Sequence, residues 1–248
     1  MIEVKNLHKS FGEQHVLNDI CCRFEDGKNN LIIGQSGSGK TVLLKCLISL
    51  HRPDSGEILY DNRDLLTLSG KELHKLRQEI GVLFQGSALF DSMNVAQNVM
   101  FPMRMFGNMI AKEREERMKF CLERVNLPNA LEKFPSELSG GMQKRVAIAR
   151  AIALNPKYLF CDEPNSGLDP QTSILIDQLI DDITKEYNIT TVVNTHDMNS
   201  VIGIGDNITF LYKGKVEWIG NKDNILTNDN EALSEFLFSS PIMKHLKK

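Results

Sequence analysis

Apolar positions along this chain alternate between strand-like and helix-like patterns. Short apolar or β-branched runs predict buried strands at 31–33, 80–84, 158–161 and 188–195. Further strands are predicted at 2–4, 17–24, 57–60, 208–212 and 215–219, the last two joined by a hairpin turn at Lys213-Gly214. Helices are predicted at 42–48, 69–79, 143–154 and 170–183. Because strands and helices alternate, we predict an α/β fold.

The middle of the chain has a different pattern. Strand signals vanish in 91–137, and 112–125 combines mixed charges with an apolar face at helical spacing, which predicts a helical insertion. Five of the ten methionines lie in its first part: Met93, Met100, Met103, Met105 and Met109. Methionine adapts its shape to its neighbours, so this cluster could line a groove for a partner helix or form a stripe of the core. The sequence leaves both interpretations open.

The tail from Asp223 onward is predicted to be weakly structured. It nevertheless contains three large apolar residues close together, Phe236, Leu237 and Phe238. Such a segment docks on its own domain or on a partner.

Composition is that of an ordinary soluble globular protein, with 42% apolar and 25% charged residues among 248. The net charge of −3 supplies no basic field, so no nucleic-acid partner is expected. No apolar run approaches the roughly 20 residues of a membrane-spanning helix, and the N-terminus lacks the apolar core of a signal peptide. We expect a cytoplasmic protein with five reduced cysteines, whose membrane role, if any, comes through a partner.

The stretch from Gly34 to Thr41 fits the phosphate-loop pattern G-x-x-x-x-G-K-[ST] at every fixed position. It lies between a predicted strand and a predicted helix, as that motif requires. Glycines let successive backbone N–H groups turn toward a phosphate, and the helix presents its positive end to the same anion. Lys40 would reach the β- and γ-phosphates, and the Thr41 hydroxyl would ligate Mg²⁺. The predicted nucleotide-binding residues are Gly34, Gln35, Ser36, Gly37, Ser38, Gly39, Lys40, Thr41 and Val42.

Polar residues follow three other predicted strands. Asp162 and Glu163 end the run 158–161, where Asp162 would hold Mg²⁺ through water and Glu163 would orient or deprotonate the attacking water. Gln85 would sense the γ-phosphate or Mg²⁺, and His196 would contact the γ-phosphate. Parallel strands deliver their carboxyl ends to one edge, beside the phosphate loop. We therefore expect ATP hydrolysis with Mg²⁺, with Gln85, Glu163 and His196 as catalytic residues and Thr41, Gln85 and Asp162 at the metal.

Three further features suggest nucleotide contacts or helix starts. Two glycines follow Ser139 at the start of a predicted helix, where an anion could approach the backbone. Asp169 precedes Pro170 as a helix N-cap. Phe11, beside Gly12, could stack on a nucleobase or pack in the core.

The order of these pieces resembles that of the nucleotide-binding subunit of ATP-binding-cassette (ABC) transporters over about residues 1–222. The resemblance implies Phe11 as the adenine-stacking aromatic, Gly34 to Thr41 as Walker A, Gln85 as the Q-loop, Leu138 to Met142 as the signature, Asp162 and Glu163 as the Walker B end and catalytic glutamate, Ser166 to Asp169 as the D-loop, and His196 as the switch histidine. It implies a P-loop NTPase ABC-cassette fold with a mixed β core, an antiparallel β subdomain and a helical subdomain at about 91–155. Residues 223–248 would form a partner- or self-docking tail.

The resemblance also implies partners. In the family, two copies meet head to tail around two ATP molecules, and the signature helix of one copy, here with Ser139, Gly140 and Gly141, faces the γ-phosphate bound by the other. Asp169 of the D-loop is a further expected nucleotide-binding residue. A membrane permease then follows the opening and closing of the dimer. The signature ends in Met142 where glutamine is usual. The segment from Phe84 to Pro102 is similar in sequence to that of MlaF-type ATPases. That similarity implies phospholipid transport at the cytoplasmic face of a bacterial inner membrane, with an MlaE-type permease, an MCE-domain lipid-binding protein and a small regulatory subunit.

Two alternatives remain. An ABC importer ATPase for small solutes would share all of this ATP chemistry and differ in its permease. A soluble, non-transport ABC ATPase would act on DNA or ribosomes, but the chain has one cassette and no basic stripe.

Overall fold

The structure is a computed structural model that describes residues 1–238. Its strands are β1 (Ile2–Phe11), β2 (Gln14–Phe24), β3 (Asn29–Ile33), β4 (Ser55–Tyr60), β5 (Arg63–Asp64), β6 (Ile80–Leu83), β7 (Tyr158–Asp162), β8 (Thr190–Asn194), β9 (Asn207–Tyr212) and β10 (Lys215–Gly220). Its helices are α1 (Lys40–Leu47), α2 (Gly70–Gln78), α3 (Val95–Phe106), α4 (Ala111–Arg124), α5 (Gly140–Ala151), α6 (Pro170–Glu186), α7 (Met198–Ile204) and α8 (Glu231–Leu237). Short 3-10 helices occupy Pro135–Glu137 and Ile225–Thr227.

Two sheets divide the strands. The six-stranded sheet has the order β10-β9-β3-β8-β7-β6, with parallel pairing except between β10 and β9. The four-stranded sheet has the order β2-β1-β4-β5 and is antiparallel. Every residue of β3, β7 and β8 is buried, as expected for parallel strands covered on both faces.

Two apolar cores flank the large sheet. One lies around α1 between the two sheets and includes Ile32, Leu43 and Phe24. The other joins the opposite face to the helices between β6 and β7, and includes Val146 and Leu159. The phosphate loop between β3 and α1 is thereby held at the carboxyl edge of the large sheet.

The strand predicted to begin at residues 2–4 continues to Phe11, and its outer half pairs with β2 as an antiparallel ribbon. One local prediction was wrong. The tail contains α8, which the sequence analysis treated as weakly structured. Asn230 caps this helix by accepting a hydrogen bond from the Leu233 N–H (2.8 Å), and both Leu233 and Leu237 are buried. Predictions that fall on residues 239–248 lie outside the described residues.

The methionine cluster is divided between the two interpretations. Met103 is fully buried in the helical core, whereas Met105 is 59% exposed. All five cysteines are free, and only Cys21 is exposed.

Candidate functional site

The phosphate loop has a backbone that only glycine fits at two positions. Gly34 and Gly39 have φ angles of 150° and 106°. A Cβ at Gly34 would lie 2.3 Å from the Leu211 carbonyl oxygen, and one at Gly39 would lie 2.8 Å from Leu17 Cδ2. The loop is therefore pressed against β2 and β9, with its N–H groups free to curve around an anion.

Lys40 curls back over this loop. Its ammonium donates hydrogen bonds to the carbonyl oxygens of Gly34 (2.7 Å) and Gln35 (3.1 Å), and the residue is 8% exposed. Burial lowers the pKa of Lys40, and the nearby Glu163 and Asp162 carboxylates oppose that shift. The buried Ser38 hydroxyl has no hydrogen-bond partner within residues 1–238. An ammonium and an unpaired hydroxyl at one loop fit a phosphate group.

Asp162 at the end of β7 is held by two groups. The Asn194 amide donates to Asp162 Oδ1 (3.0 Å), and the Thr41 hydroxyl lies 3.5 Å from the same oxygen. Parallel pairing places Asp162 directly opposite Asn194 on β8. Asn194 was not predicted from the sequence, although it ends a buried strand as Asp162 does. Its position at the end of a buried strand is the sequence signal that could have identified it as a site residue.

The predicted Mg²⁺ ligands supply mixed oxygen donors. Thr41 offers a hydroxyl, Gln85 an amide and Asp162 a carboxylate, which are the hard donors that Mg²⁺ prefers. No cluster of three or more His, Cys, Asp and Glu side chains suited to a metal occurs in the described residues. The Thr41 hydroxyl and the Asp162 carboxylate lie close together, and this arrangement of oxygen donors fits Mg²⁺.

Glu163 and His196 face each other. His196 Nδ1 lies 2.9 Å from Glu163 Oε2. Glu163 has a φ of 48°, a left-handed conformation that is unusual for a residue with a side chain, and its N–H donates to the Asn194 carbonyl (3.0 Å). Strain of this kind at a carboxylate is a feature of functional sites.

Gln85 joins the site to two other segments. Its amide donates to the Ser166 hydroxyl (3.2 Å), and its backbone carbonyl accepts a hydrogen bond from the Lys144 ammonium on α5. Lys144 is only 4% exposed, and burial lowers its pKa. On the same helix, Arg150 donates to the Ser87 (2.8 Å) and Ala88 carbonyls. Nothing in the sequence distinguishes Lys144 from a solvated helical lysine.

A cavity of about 790 Å³ gathers most of the predicted residues. Its lining comprises the phosphate loop through Val42, with Gln14, Val16, Gln85, Glu163, His196, Met198, Phe236 and Leu237. The last two belong to α8, which the sequence analysis did not place at the site. Phe11 is not in this lining; it is 45% exposed, so it is not a core residue, and the Lys9 ammonium lies 5.2 Å from its ring centre.

The signature residues lie apart from the cavity that the same chain forms. Ser139 caps α5 by accepting from the Met142 N–H (3.3 Å), and Ser139 and Gly140 are exposed. A Cβ at Gly141 would lie 2.6 Å from Thr172 Cγ2 of α6. Asp169 caps α6 by accepting from the Gln171 and Thr172 N–H groups at 3.1 and 3.0 Å, and it too is exposed.

Comparison with known proteins identifies the family. A family model described as ABC transporter matches residues 17–166. The chain belongs to the ABC transporter family. It is therefore an ATP-binding subunit of a membrane ABC transporter, and it hydrolyses ATP. Within residues 1–238, no helix is both long enough and apolar enough to cross a membrane.

Two relatives illustrate the similarity in sequence. The chain is 40% identical over 236 residues to a Mycobacterium leprae protein named probable ribonucleotide transport ATP-binding protein, covering 95% of this chain and 68% of the relative. It is 37% identical over 240 residues to a methionine import ATP-binding protein of Clostridium acetobutylicum, covering 97% and 75%. Other mycobacterial relatives are spanned over 66% of their length.

A dimeric bacterial ABC transporter cassette is similar to the chain with a TM-score of 0.82 and 36% identity, over 90% of this chain and 99% of that one. The post-hydrolysis state of that cassette, bound to ADP and Pi, gives a TM-score of 0.81. The predicted fold class is thereby confirmed, as is the predicted ATPase activity.

Proposed function

We propose that this chain powers phospholipid transport as one of two identical ATP-binding subunits beneath an integral membrane permease. Its place would be the cytoplasmic face of a bacterial inner membrane, with an MCE-domain lipid-binding protein and a small regulatory subunit as further partners. Residues 1–222 would form the cassette, with a helical subdomain at about 91–155 and a docking tail at 223–248.

The observation that carries the pairing of two ATP-binding subunits is the separation of the signature from the cavity. Lys40, Gln85, Glu163 and His196 meet around one space, while Ser139 of the same chain is exposed elsewhere. A second copy placed head to tail would bring its signature to this space. The similar cassette described as dimeric supports the pairing of two copies.

Each residue then has a role in hydrolysis. The phosphate loop and Lys40 bind and orient the phosphates, and Glu163 orients the attacking water and accepts its proton. His196 contacts the γ-phosphate. Mg²⁺, held by Thr41, Gln85 and Asp162, would neutralise phosphate charge.

An apolar groove beside Gln85 fits a permease helix. It has a volume of about 480 Å³ and lies between β6, α3 and α5. Phe90 and Phe106 line it and are 40% and 38% exposed, and Met105, 59% exposed, lies next to Phe106 in the chain. Apolar grooves of this kind receive amphipathic helices. A helix seated here would follow any movement of the Gln85 segment.

The lipid cargo rests on resemblance. Met142 in the signature and the sequence of the segment from Phe84 to Pro102 favour an MlaF-type subunit. The names of the relatives favour a second candidate, a small-solute importer, because one is named for ribonucleotide transport and another for methionine import. The two candidates share the ATP site and differ in the membrane partner.

Affinity capture of the tagged chain from detergent-solubilised membranes tests the proposal. We expect a polytopic permease, an MCE-domain protein and bound phospholipid by mass spectrometry. The double variant F90A/F106A should lose the permease, and F134A, which changes an exposed phenylalanine outside the groove, should retain it. Recovery of a permease with a solute-binding protein and no phospholipid would replace the lipid proposal with the small-solute alternative.

A further inference from the structure

Three buried polar side chains form a closed hydrogen-bonded ring behind the catalytic residues. The Asn165 amide donates to Asp177 Oδ1 (2.9 Å) and to the Ser200 hydroxyl (3.0 Å). The Ser200 hydroxyl donates to Asp177 Oδ2 (2.8 Å). We call these three residues the Asn165–Asp177–Ser200 ring.

The ring occupies a position where apolar side chains would pack at lower cost. Asn165, Asp177 and Ser200 are 9%, 6% and 0% exposed, and Ile176 and Val201 belong to the apolar core beside them. No cation forms an ion pair with Asp177 within residues 1–238. The side-chain oxygen Oδ1 of Asn165 also has no partner there. Burying these groups costs stability, so their arrangement calls for a functional reason.

The ring joins three segments that come from different parts of the chain. Asn165 lies two residues after Glu163 and directly before Ser166, whose hydroxyl accepts from Gln85. Ser200 lies on α7, four residues after His196. Asp177 on α6 bonds to both, so it links the loop that carries Glu163 to the helix that follows His196.

We propose that Asn165, Asp177 and Ser200 are positioning residues that hold Glu163 opposite His196 for ATP hydrolysis. The 2.9 Å contact between those two residues needs a loop and a helix start to keep a fixed separation. The ring is a direct side-chain connection between that loop and that helix behind the contact. A displacement of about 1 Å in either segment would lower the rate strongly, because hydrolysis depends on positioning.

Nucleotide binding should be insensitive to the ring. The phosphate loop and Lys40 are carried by β3 and α1, and none of the hydrogen bonds of the ring involves them. Loosening the ring should therefore lower kcat while the affinity for ATP stays the same. A purely structural role would instead lower the melting temperature and leave the kcat of the folded protein unchanged.

Variants of the full chain test this inference. D177N removes the charge of the ring. S200A removes one hydroxyl and serves as the test variant if D177N fails to fold. D181N is the matched control, because Asp181 lies one turn further along α6 and bonds to Asn29 and Lys185, away from the site. Measurements are kcat and KM for ATP, affinity for a fluorescent ATP analogue, and melting temperature.

We expect kcat to fall about tenfold or more in S200A and D177N, because a small displacement of Glu163 from His196 slows hydrolysis. The affinity for the ATP analogue should stay within about twofold of that of the unmodified chain. The double variant D177N/S200A should be no slower than the slower single variant, because the residues act as one unit. D181N should keep the kcat of the unmodified chain. The inference is overturned if folded S200A keeps full kcat. It is also overturned if D181N loses as much kcat as the ring variants do for the same drop in melting temperature.

Discussion

The Nδ1 atom of His196 lies 2.9 Å from Oε2 of Glu163, and this contact is formed by the chain itself. The imidazole is 68% exposed and the carboxylate 15% exposed, so the pair lies at the wall of the cavity with His196 on the open side. Glu163 holds a left-handed backbone conformation with φ 48°. The carboxylate is therefore oriented before a γ-phosphate could attract His196, which is the kind of preorganisation that hydrolysis requires.

The first prediction concerns E163Q. The substitution keeps the shape of the side chain and removes its ability to accept a proton, so hydrolysis should fall at least about 100-fold. ATP binding should persist, because the phosphate loop is unchanged. The variant should accumulate as an ATP-bound dimer, measured by light scattering after size exclusion at micromolar protein. A variant that stays monomeric in saturating ATP would contradict the head-to-tail arrangement.

The second prediction concerns K40M. Lys40 is the buried ammonium beside the loop, and a hydrogen bond to a charged group contributes about 1.5–3 kcal/mol, which corresponds to a loss of roughly 10- to 100-fold in ATP affinity. Equilibrium binding of a fluorescent ATP analogue measures it. K45M serves as the control, since Lys45 is in the last turn of the same helix and outside the cavity lining. Equal affinities for the two variants would refute the role of Lys40.

The sequence predicts the strand ends better than the contacts between segments. Gln85, Asp162 and His196 could be placed together because parallel strands deliver their carboxyl ends to one edge. Lys144 and the Asn165–Asp177–Ser200 ring could not, since their contacts join residues separated by 12 to 59 positions and depend on helix orientation. Lys144, Asp177 and Ser200 have the local signals of ordinary polar helix positions, and Asn165 has that of an ordinary polar turn residue.

The strands and helices themselves also differ in how well the sequence predicts them. The buried strands β3, β7 and β8 were readily predicted, because both faces are covered and each contains a short run of apolar or β-branched residues. Helix α8 was missed. It offers only two buried side chains, so it has no strong periodic signal.

The third prediction concerns N194V. The substitution removes the amide that donates to Asp162 and introduces a residue that strands favour, so folding should be retained. Outer hydrogen bonds of this kind typically change metal affinity about 10- to 100-fold, so we expect the Mg²⁺ concentration for half-maximal hydrolysis to rise about tenfold. T191V is the control in the same strand, where the hydroxyl pairs with Thr184 at 2.6 Å. An unchanged Mg²⁺ dependence in N194V would exclude a role for Asn194 at the metal.

The fourth prediction concerns the pH dependence of stability. Burial raises the pKa of Asp177 from 3.8 to about 6, helped by the Asp197 carboxylate, while hydrogen bonds from Ser200 and Asn165 oppose the rise. The neighbouring Cys161 thiol stays neutral, because burial raises its own pKa far above the usual range. A carboxyl with a raised pKa binds its proton more tightly in the folded state than in the unfolded state.

The sign follows from that difference. Between about pH 4 and pH 6 the folded chain holds the Asp177 proton and the unfolded chain releases it, so this group stabilises the fold at acidic pH and the contribution is lost as the pH rises through 6. From pH 5 to pH 7.5 the loss should be about 1 kcal/mol. D177N cannot titrate, so its free energy of unfolding relative to the unmodified chain should improve by that amount over this interval, measured by urea unfolding at each pH. If the difference in unfolding free energy between D177N and the unmodified chain stays constant over this interval, Asp177 does not carry the raised pKa.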